Sequence, residues 1–174
     1  MKLKNIVLSS AVAAVMMSGF ANAADNGEVA FLGAVTAQTC DIETSVDGAV
    51  TNLVQLGSVA TGGQKSEKEF SLKLKDPTNC DVTNTPAAFV TWNASSLTAT
   101  GLSNTNGTAT DAVLTLTALN SKTPNTDVTS STNEIEFVSD NVKNDGAFKF
   151  KATLTSGTDK GSVDTAAAYV VRYQ

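Results

Sequence analysis

The sequence predicts an all-β protein built as an antiparallel sandwich. Three observations carry this. Apolar residues recur at every second position in one short segment after another, the period of a strand with one face in a core and one in water. Turn signals such as Asp47-Gly48, Thr61-Gly62-Gly63 and Asn144-Asp145-Gly146 separate those segments. The composition is rich in Thr, Ser, Asn, Ala and Gly, which suits short strands joined by polar turns. A helical bundle would need more Leu, Glu and Lys at helical spacing, and no helix is expected after the leader.

The leader is Met1 to Ala23. Lys2 and Lys4 give it a positive start, an apolar run extends from Ile6 to Phe20, and Ala21-Asn22-Ala23 is a small-x-small cleavage signal. Cleavage between Ala23 and Ala24 would leave the mature chain beginning at Ala24. The alternative, an N-terminal membrane helix, fits poorly because the apolar run is short for a bilayer span. The chain has 174 residues, the length of one domain.

From Ala24 the segments follow in order. Ala24 to Thr36 alternates, with Gly27, Val29, Phe31, Gly33 and Val35 on one face. Glycines on the apolar face of a strand mark close approach to another backbone or a packed ring; the alternative is an ordinary first strand. Val35 to Ile42 reads as a second strand carrying Cys40, and Val54-Gln55-Leu56-Gly57 as a short one. Glu69 to Lys75 places Phe70, Leu72 and Leu74 inward and ends at Asp76-Pro77, since proline cannot donate to a ladder. Ala87 to Ala94 places Ala88, Val90 and Trp92 on one side and Phe89 on the other. Ser95 to Thr110 is a polar hairpin or long loop, and Ala112 to Leu119 alternates around Leu114, Leu116 and Ala118. Asn120 to Asn133 is a loop with room for a short edge strand. Glu134 to Val138 has Ile135 and Phe137 on one face; Gly146 to Leu154 has Phe148, Phe150, Ala152 and Leu154. The sum is about seven to nine strands, the number expected of a Greek-key sandwich.

The last strand, Gly161 to Gln174, is the most suggestive. Val163, Ala167, Tyr169, Val171 and Tyr173 share a face, while Asp164, Arg172 and Gln174 fall on the other. A strong strand at a chain terminus must pair with something, or it frays.

Several function classes are excluded or disfavoured. A net charge of −5 argues against a nucleic-acid partner, which requires a basic face for phosphates. The chain has no histidine, so Ser-His-Asp and Cys-His catalysis are absent. Cys40 and Cys80 are the only cysteines. In an exported chain two cysteines of one domain pair, and two thiolates without histidine make a poor metal site. Their bridge would close a loop of about 40 residues, contributing about 4 kcal/mol in the chain-entropy model. Glu67 with Glu69 and Glu134 with Glu136 could be posed as glycosidase pairs, but each sits on the water side of a strand. Trp92 could stack on a sugar, yet in a strand pattern it belongs to the core. No catalytic residue, metal or cofactor is expected.

Together these features resemble a known family. They are the export signal, the alternating N-terminus with Gly27, Val29, Phe31 and Gly33, and cysteines about 40 residues apart. They also include Val54-Gln55-Leu56-Gly57, and Gly161 ahead of a penultimate Tyr173. The chain looks like a structural subunit of chaperone–usher fimbriae, similar to the major pilins of type 1 fimbriae. The resemblance implies an incomplete immunoglobulin-like sandwich lacking its last strand, with signal peptide 1–23, donor-strand extension 24–36 and pilin domain 37–174. Assembly would proceed by donor-strand exchange.

The implied partners are a periplasmic pilus chaperone, an outer-membrane usher and identical or related pilin subunits. For the assembled fimbria on the cell surface, they include a host-cell receptor. Gly27, Val29, Phe31, Gly33 and Val35 would form the donor face. Gly161, Tyr169, Val171, Tyr173 and Gln174 would form the groove edge and the contact with chaperone or neighbouring subunit. Burying Val29, Phe31 and Val35 in a neighbour would contribute at most about 5–8 kcal/mol. One departure from the family pattern is that Asp25 and Asn26 stand where another apolar residue is usual. The alternative is a minor or adaptor fimbrial subunit, or a glycan-binding fimbrial adhesin.

Overall fold

The computed structural model describes residues 40–76 and 87–174. The chain divides into two units, residues 1–32 and 33–174, and every described residue belongs to the second. The leader, the extension with Gly27, Val29, Phe31, Gly33 and Val35, the Ala23–Ala24 cleavage site, and Cys80 lie outside the described residues.

Among the described residues, eleven strands and one short helix follow in order: β1 Ile42–Val46, β2 Ala49–Val50, β3 Lys65–Leu74, β4 Ala87–Asn93, β5 Leu97–Thr98, β6 Gly101–Ser103, β7 Val113–Ala118, β8 Thr126–Asp127, β9 Glu134–Val138, α1 Ser139–Asp145, β10 Ala147–Thr155 and β11 Ala168–Tyr173. They form two sheets. The larger runs β2-β1-β3-β10-β7-β6-β5, with β8 added to β7; the smaller runs β11-β4-β9. Every named ladder is antiparallel. This is the antiparallel sandwich that the alternation predicts. The count exceeds the expected number because β2, β5, β6 and β8 are only two or three residues long, too short to show a period.

The inward faces meet in one aromatic core. From the larger sheet come Phe70, Leu72, Phe148 and Phe150; from the smaller come Val90, Trp92, Ile135 and Phe137, all buried. Trp92 stands edge-on to Phe150 at 5.2 Å and to Phe70 at 6.1 Å, and Phe137 edge-on to Phe148 at 5.0 Å. These T-shaped contacts set the positive ring edge against a negative face, adding to the apolar burial. Trp92 is therefore a core residue and offers no platform for a sugar.

The outward faces carry the charges. Lys151 meets Glu67 at 3.1 Å, Arg172 meets Glu134 at 3.2 Å, and Lys122 meets Glu136 at 2.8 Å. Each of these glutamates holds a cation at the surface rather than facing a second carboxylate across a cleft. Asp47 and Gly48 both take positive φ, 51° and 86°, and close a two-residue hairpin between β1 and β2. That is the geometry for which Asp-Gly is selected.

Three expectations need correction. A helix does follow the leader: α1 is seven residues long, buries Val142 and ends at Gly146. It is too short for a helical period to emerge, and the Asn144-Asp145-Gly146 run expected as a turn forms its C-terminal end. Val54-Gln55-Leu56-Gly57, expected as a strand, joins no ladder among the described residues. The terminal strand is also shorter than expected, since only Ala168–Tyr173 is laddered. Cys40 is disulfide-bonded.

Candidate subunit-docking groove

β11 is an edge strand among the described residues, with β4 as its one partner. Gln174 and Ala87 exchange both backbone hydrogen bonds, the Ala87 N–H donating at 3.2 Å and the Gln174 N–H at 3.0 Å. Antiparallel pairing alternates bonded and non-bonded pairs. The register Arg172↔Phe89 and Val170↔Thr91 therefore turns those backbones toward β4. Tyr169, Val171 and Tyr173 point their N–H and C=O groups the other way, off the open edge. Their side chains pack on the core, yet all three remain half-buried rather than buried. A strand edge with vacant donors and acceptors beside part-covered apolar side chains is a template for another strand.

Upstream, the chain leading into β11 forms one wall of a groove of about 890 Å³. Asp159 to Val163 makes that wall, Leu53 to Thr61 makes the opposite one, and Ala109, Ala112 and Leu154 line the groove between them. Those three are buried, and Leu56, Val59 and Val163 pack on them half-covered. Leu53, at the rim, is 60% exposed. Val54 and Leu56 also lean on the main core, as do Ala167, Tyr169, Val171 and Tyr173. The two segments thus border the same core, and among the described residues no backbone hydrogen bond links them.

The Leu53–Thr61 wall is tethered by side chains and at its far end. Ser66 Oγ donates to the Leu56 carbonyl. Ser156 Oγ donates to the Ala60 carbonyl at 2.7 Å, and Gly62 N–H to Gly157 O at 2.8 Å. From Val54 to Thr61 no backbone amide makes a backbone hydrogen bond among the described residues. That explains why Val54-Gln55-Leu56-Gly57 has the composition of a strand without being one.

The opposite wall is fastened to the loop between β6 and β7. Asn104 Nδ2 donates to Ser162 O at 2.9 Å and to Ala109 O at 2.8 Å, while its Oδ1 accepts the N–H of Asp164 at 2.9 Å and of Gly107 at 3.0 Å. The Asp111 carboxylate accepts the Thr158 N–H at 2.6 Å, the Thr158 hydroxyl at 2.8 Å and the Asp159 N–H at 3.1 Å. These donors, the Thr158 amide foremost, lower the pKa of Asp111 below its ordinary value. Gly161 packs flat on the same loop. A Cβ there would stand 2.7 Å from the Ala109 nitrogen and 2.8 Å from the Thr108 carbonyl carbon, besides striking Thr108 Oγ1.

The expected edge residues are therefore distributed. Gly161 lines the groove; Tyr169, Val171 and Tyr173 lie along β11 beyond it; Gln174 continues the ladder to β4 with its side chain in solvent. The expected donor face lies outside the described residues. Of the Leu53–Thr61 wall the sequence singles out Val54-Gln55-Leu56-Gly57, as a strand and not as part of a groove; the floor at Ala109, Ala112 and Leu154 and the fastening by Asn104 and Asp111 were not singled out as site residues. Burial of Tyr173 raises its phenol to about 12, and its hydroxyl has no hydrogen-bond partner among the described residues.

No family model matches the chain. Among solved structures it is similar to the P pilus rod subunit PapA, at 13% identity over 86% of this chain and all of that one, with a TM-score of 0.49. Among curated proteins it is 36% identical over 173 residues to the F107 fimbrial protein of Escherichia coli, covering 99% of this chain and all of that protein. On that identity over its full length, the chain belongs to the family of fimbrial proteins.

Proposed function

We propose that this chain is a structural, non-enzymatic subunit of a fimbria that polymerises head to tail, each copy receiving a strand from the next. The supporting observation is the open seam. Among the described residues, β11 offers unpaired backbone groups at Tyr169, Val171 and Tyr173, and the groove between Leu53–Thr61 and Asp159–Val163 has an apolar floor. A strand added there would satisfy the vacant backbone groups and bury the half-covered side chains together. The occupant is the Ala24–Thr36 segment of a neighbouring copy, with Gly27, Val29, Phe31, Gly33 and Val35 on the face turned into the groove. Donor and acceptor are different parts of identical chains, so the contact is heterologous and propagates as a filament.

Before assembly the seam would be an aggregation hazard. A periplasmic chaperone covering it, and an outer-membrane usher exchanging that cover for the next subunit, answer the hazard. In this reading the chain is exported through the periplasm and ends in a surface fimbria. The test is deletion of Ala24–Val35 from the mature chain, with filaments counted by electron microscopy. The truncated subunit should fold and accept a neighbour but add nothing further; fibres of normal length would refute the strand-lending reading.

A further inference from the structure

We infer that Asn104 and Asp111 are positioning residues for strand acceptance, holding the Asp159–Asp164 wall in its occupied geometry before any strand arrives. This deepens the preceding reading and rests on it.

The wall has almost no regular structure of its own. Residues 156–167 lie between β10 and β11 in no ladder. The loop between β6 and β7 holds it instead. Two backbone hydrogen bonds cross between them, Ala109 N–H to Ser162 O and Asn106 N–H to Asp164 O, both at 3.1 Å. Side chains complete the attachment. Asn104 uses both ends of its amide, bonding Ser162 and Asp164 on the wall and Gly107 and Ala109 on its own loop. Asp111 gathers the Thr158 and Asp159 amides at the wall's start, and Thr110 Oγ1 donates to Asp159 Oδ2 at 2.6 Å. Thr108 and Ser162 trade hydroxyl–amide bonds at 3.0 and 3.3 Å.

The fit is close enough to exclude side chains. A Cβ on Gly107 or Gly157 would collide with Asn104 and Asp111 respectively. Ala109 and Ala112 flank Asp111 in sequence and floor the groove, so the loop that fastens the wall also forms the surface an incoming strand meets. A wall fixed in advance spares the incoming strand the entropy of ordering it. Released, the wall would be competent only part of the time, and apparent affinity would fall by that fraction.

The test uses the full mature chain, residues 24–174, refolded at low concentration and offered a fluorescent peptide of residues 24–36. Asn104→Ala and Asp111→Ala should each slow peptide capture and weaken it about tenfold. Asp111→Asn, which keeps one acceptor oxygen, should fall between. The control is Asn120→Ala. Asn120 similarly ties a loop to β10, through Ala147 O at 2.9 Å and the Lys149 N–H at 2.8 Å, but at the end of β10 remote from the groove. It should lower the melting temperature while leaving capture unchanged. Equal capture by wild type and both alanine variants would overturn the inference, as would an equal loss in Asn120→Ala. Failure of the wild type to capture the peptide would overturn the strand-lending reading and this inference with it.

Discussion

Tyr169 rests on Trp92 with ring centroids 5.6 Å apart and planes tilted by 58°. This contact ties the terminal strand to the aromatic core, because Trp92 also abuts Phe70 and Phe150. Trp92→Ala would open a cavity among three rings and should cost about 3–5 kcal/mol. Tyr169→Ala, at a half-buried position, should cost about 2 kcal/mol. Trp92→Phe should cost much less than Trp92→Ala, since the indole Nε1 has no hydrogen-bond partner among the described residues to lose. Urea unfolding of the three variants checks the order, and a larger loss for Tyr169→Ala than for Trp92→Ala would contradict it.

Gly161→Ala should impair assembly more than stability. The added methyl group would meet the backbone of Thr108 and Ala109, which cannot swing aside as a flexible side chain would. The wall must lift from the loop, and the groove it lines changes shape. The expected result is a folded subunit with strongly reduced fibre length by electron microscopy. Gly63→Ala serves as comparison: it is strained at φ 79° but meets nothing within 4 Å, so it should cost about 1 kcal/mol and leave fibres intact.

The fold was legible where strands are long and one face is buried. β3, β4, β9 and β10 alternate as read, with Phe70, Leu72, Val90, Trp92, Ile135, Phe137, Phe148 and Phe150 inward. Period two reports burial on one face and nothing about partners. Val54-Gln55-Leu56-Gly57 has strand character because its apolar side chains lean on the core, although its amides have no ladder among the described residues. Of the seam, the β11 edge was legible and the groove leading into it was not. Tyr169, Val171 and Tyr173 declare themselves by alternation, whereas Ala109, Ala112 and Leu154 come together from two distant strand ends. Asn104 sits in the polar run Ser95–Thr110, whose composition signals only a loop, and Asp111 directly follows it. Their role depends on the return of residues 158–164 beside them, a long-range event that no local pattern encodes.

The outer face of β11 should matter little, in contrast to its edge. Arg172 lies 4.3 Å from the Phe89 ring centroid and 3.2 Å from Glu134, both contacts on the solvent side. Exposed ion pairs and cation–π contacts of this kind contribute at most about 1 kcal/mol. Arg172→Ala should therefore shift the urea midpoint slightly and leave fibre assembly unchanged. Val171→Asp, one residue away on the inner face, should abolish assembly by placing a charge where the seam must close. Similar assembly by the two variants would show that the seam is not where strands dock.

Alkaline pH should expose the burial of Tyr173. Its phenol is raised to about 12 because the charged form would be desolvated, while the unfolded chain ionises near the ordinary value of 10.0. Between those values the folded state keeps a proton that the unfolded state releases, so stability falls as pH rises. The contribution is intact below pH 10 and declines progressively up to about 12. The hydroxyl bonds nothing among the described residues, so Tyr173→Phe should be neutral or slightly stabilising at pH 7. The same substitution should flatten the decline above pH 10. Urea midpoints at pH 8, 10 and 11 for the wild type and Tyr173→Phe measure the difference directly, and parallel curves would mean that the phenol reaches water in the folded protein.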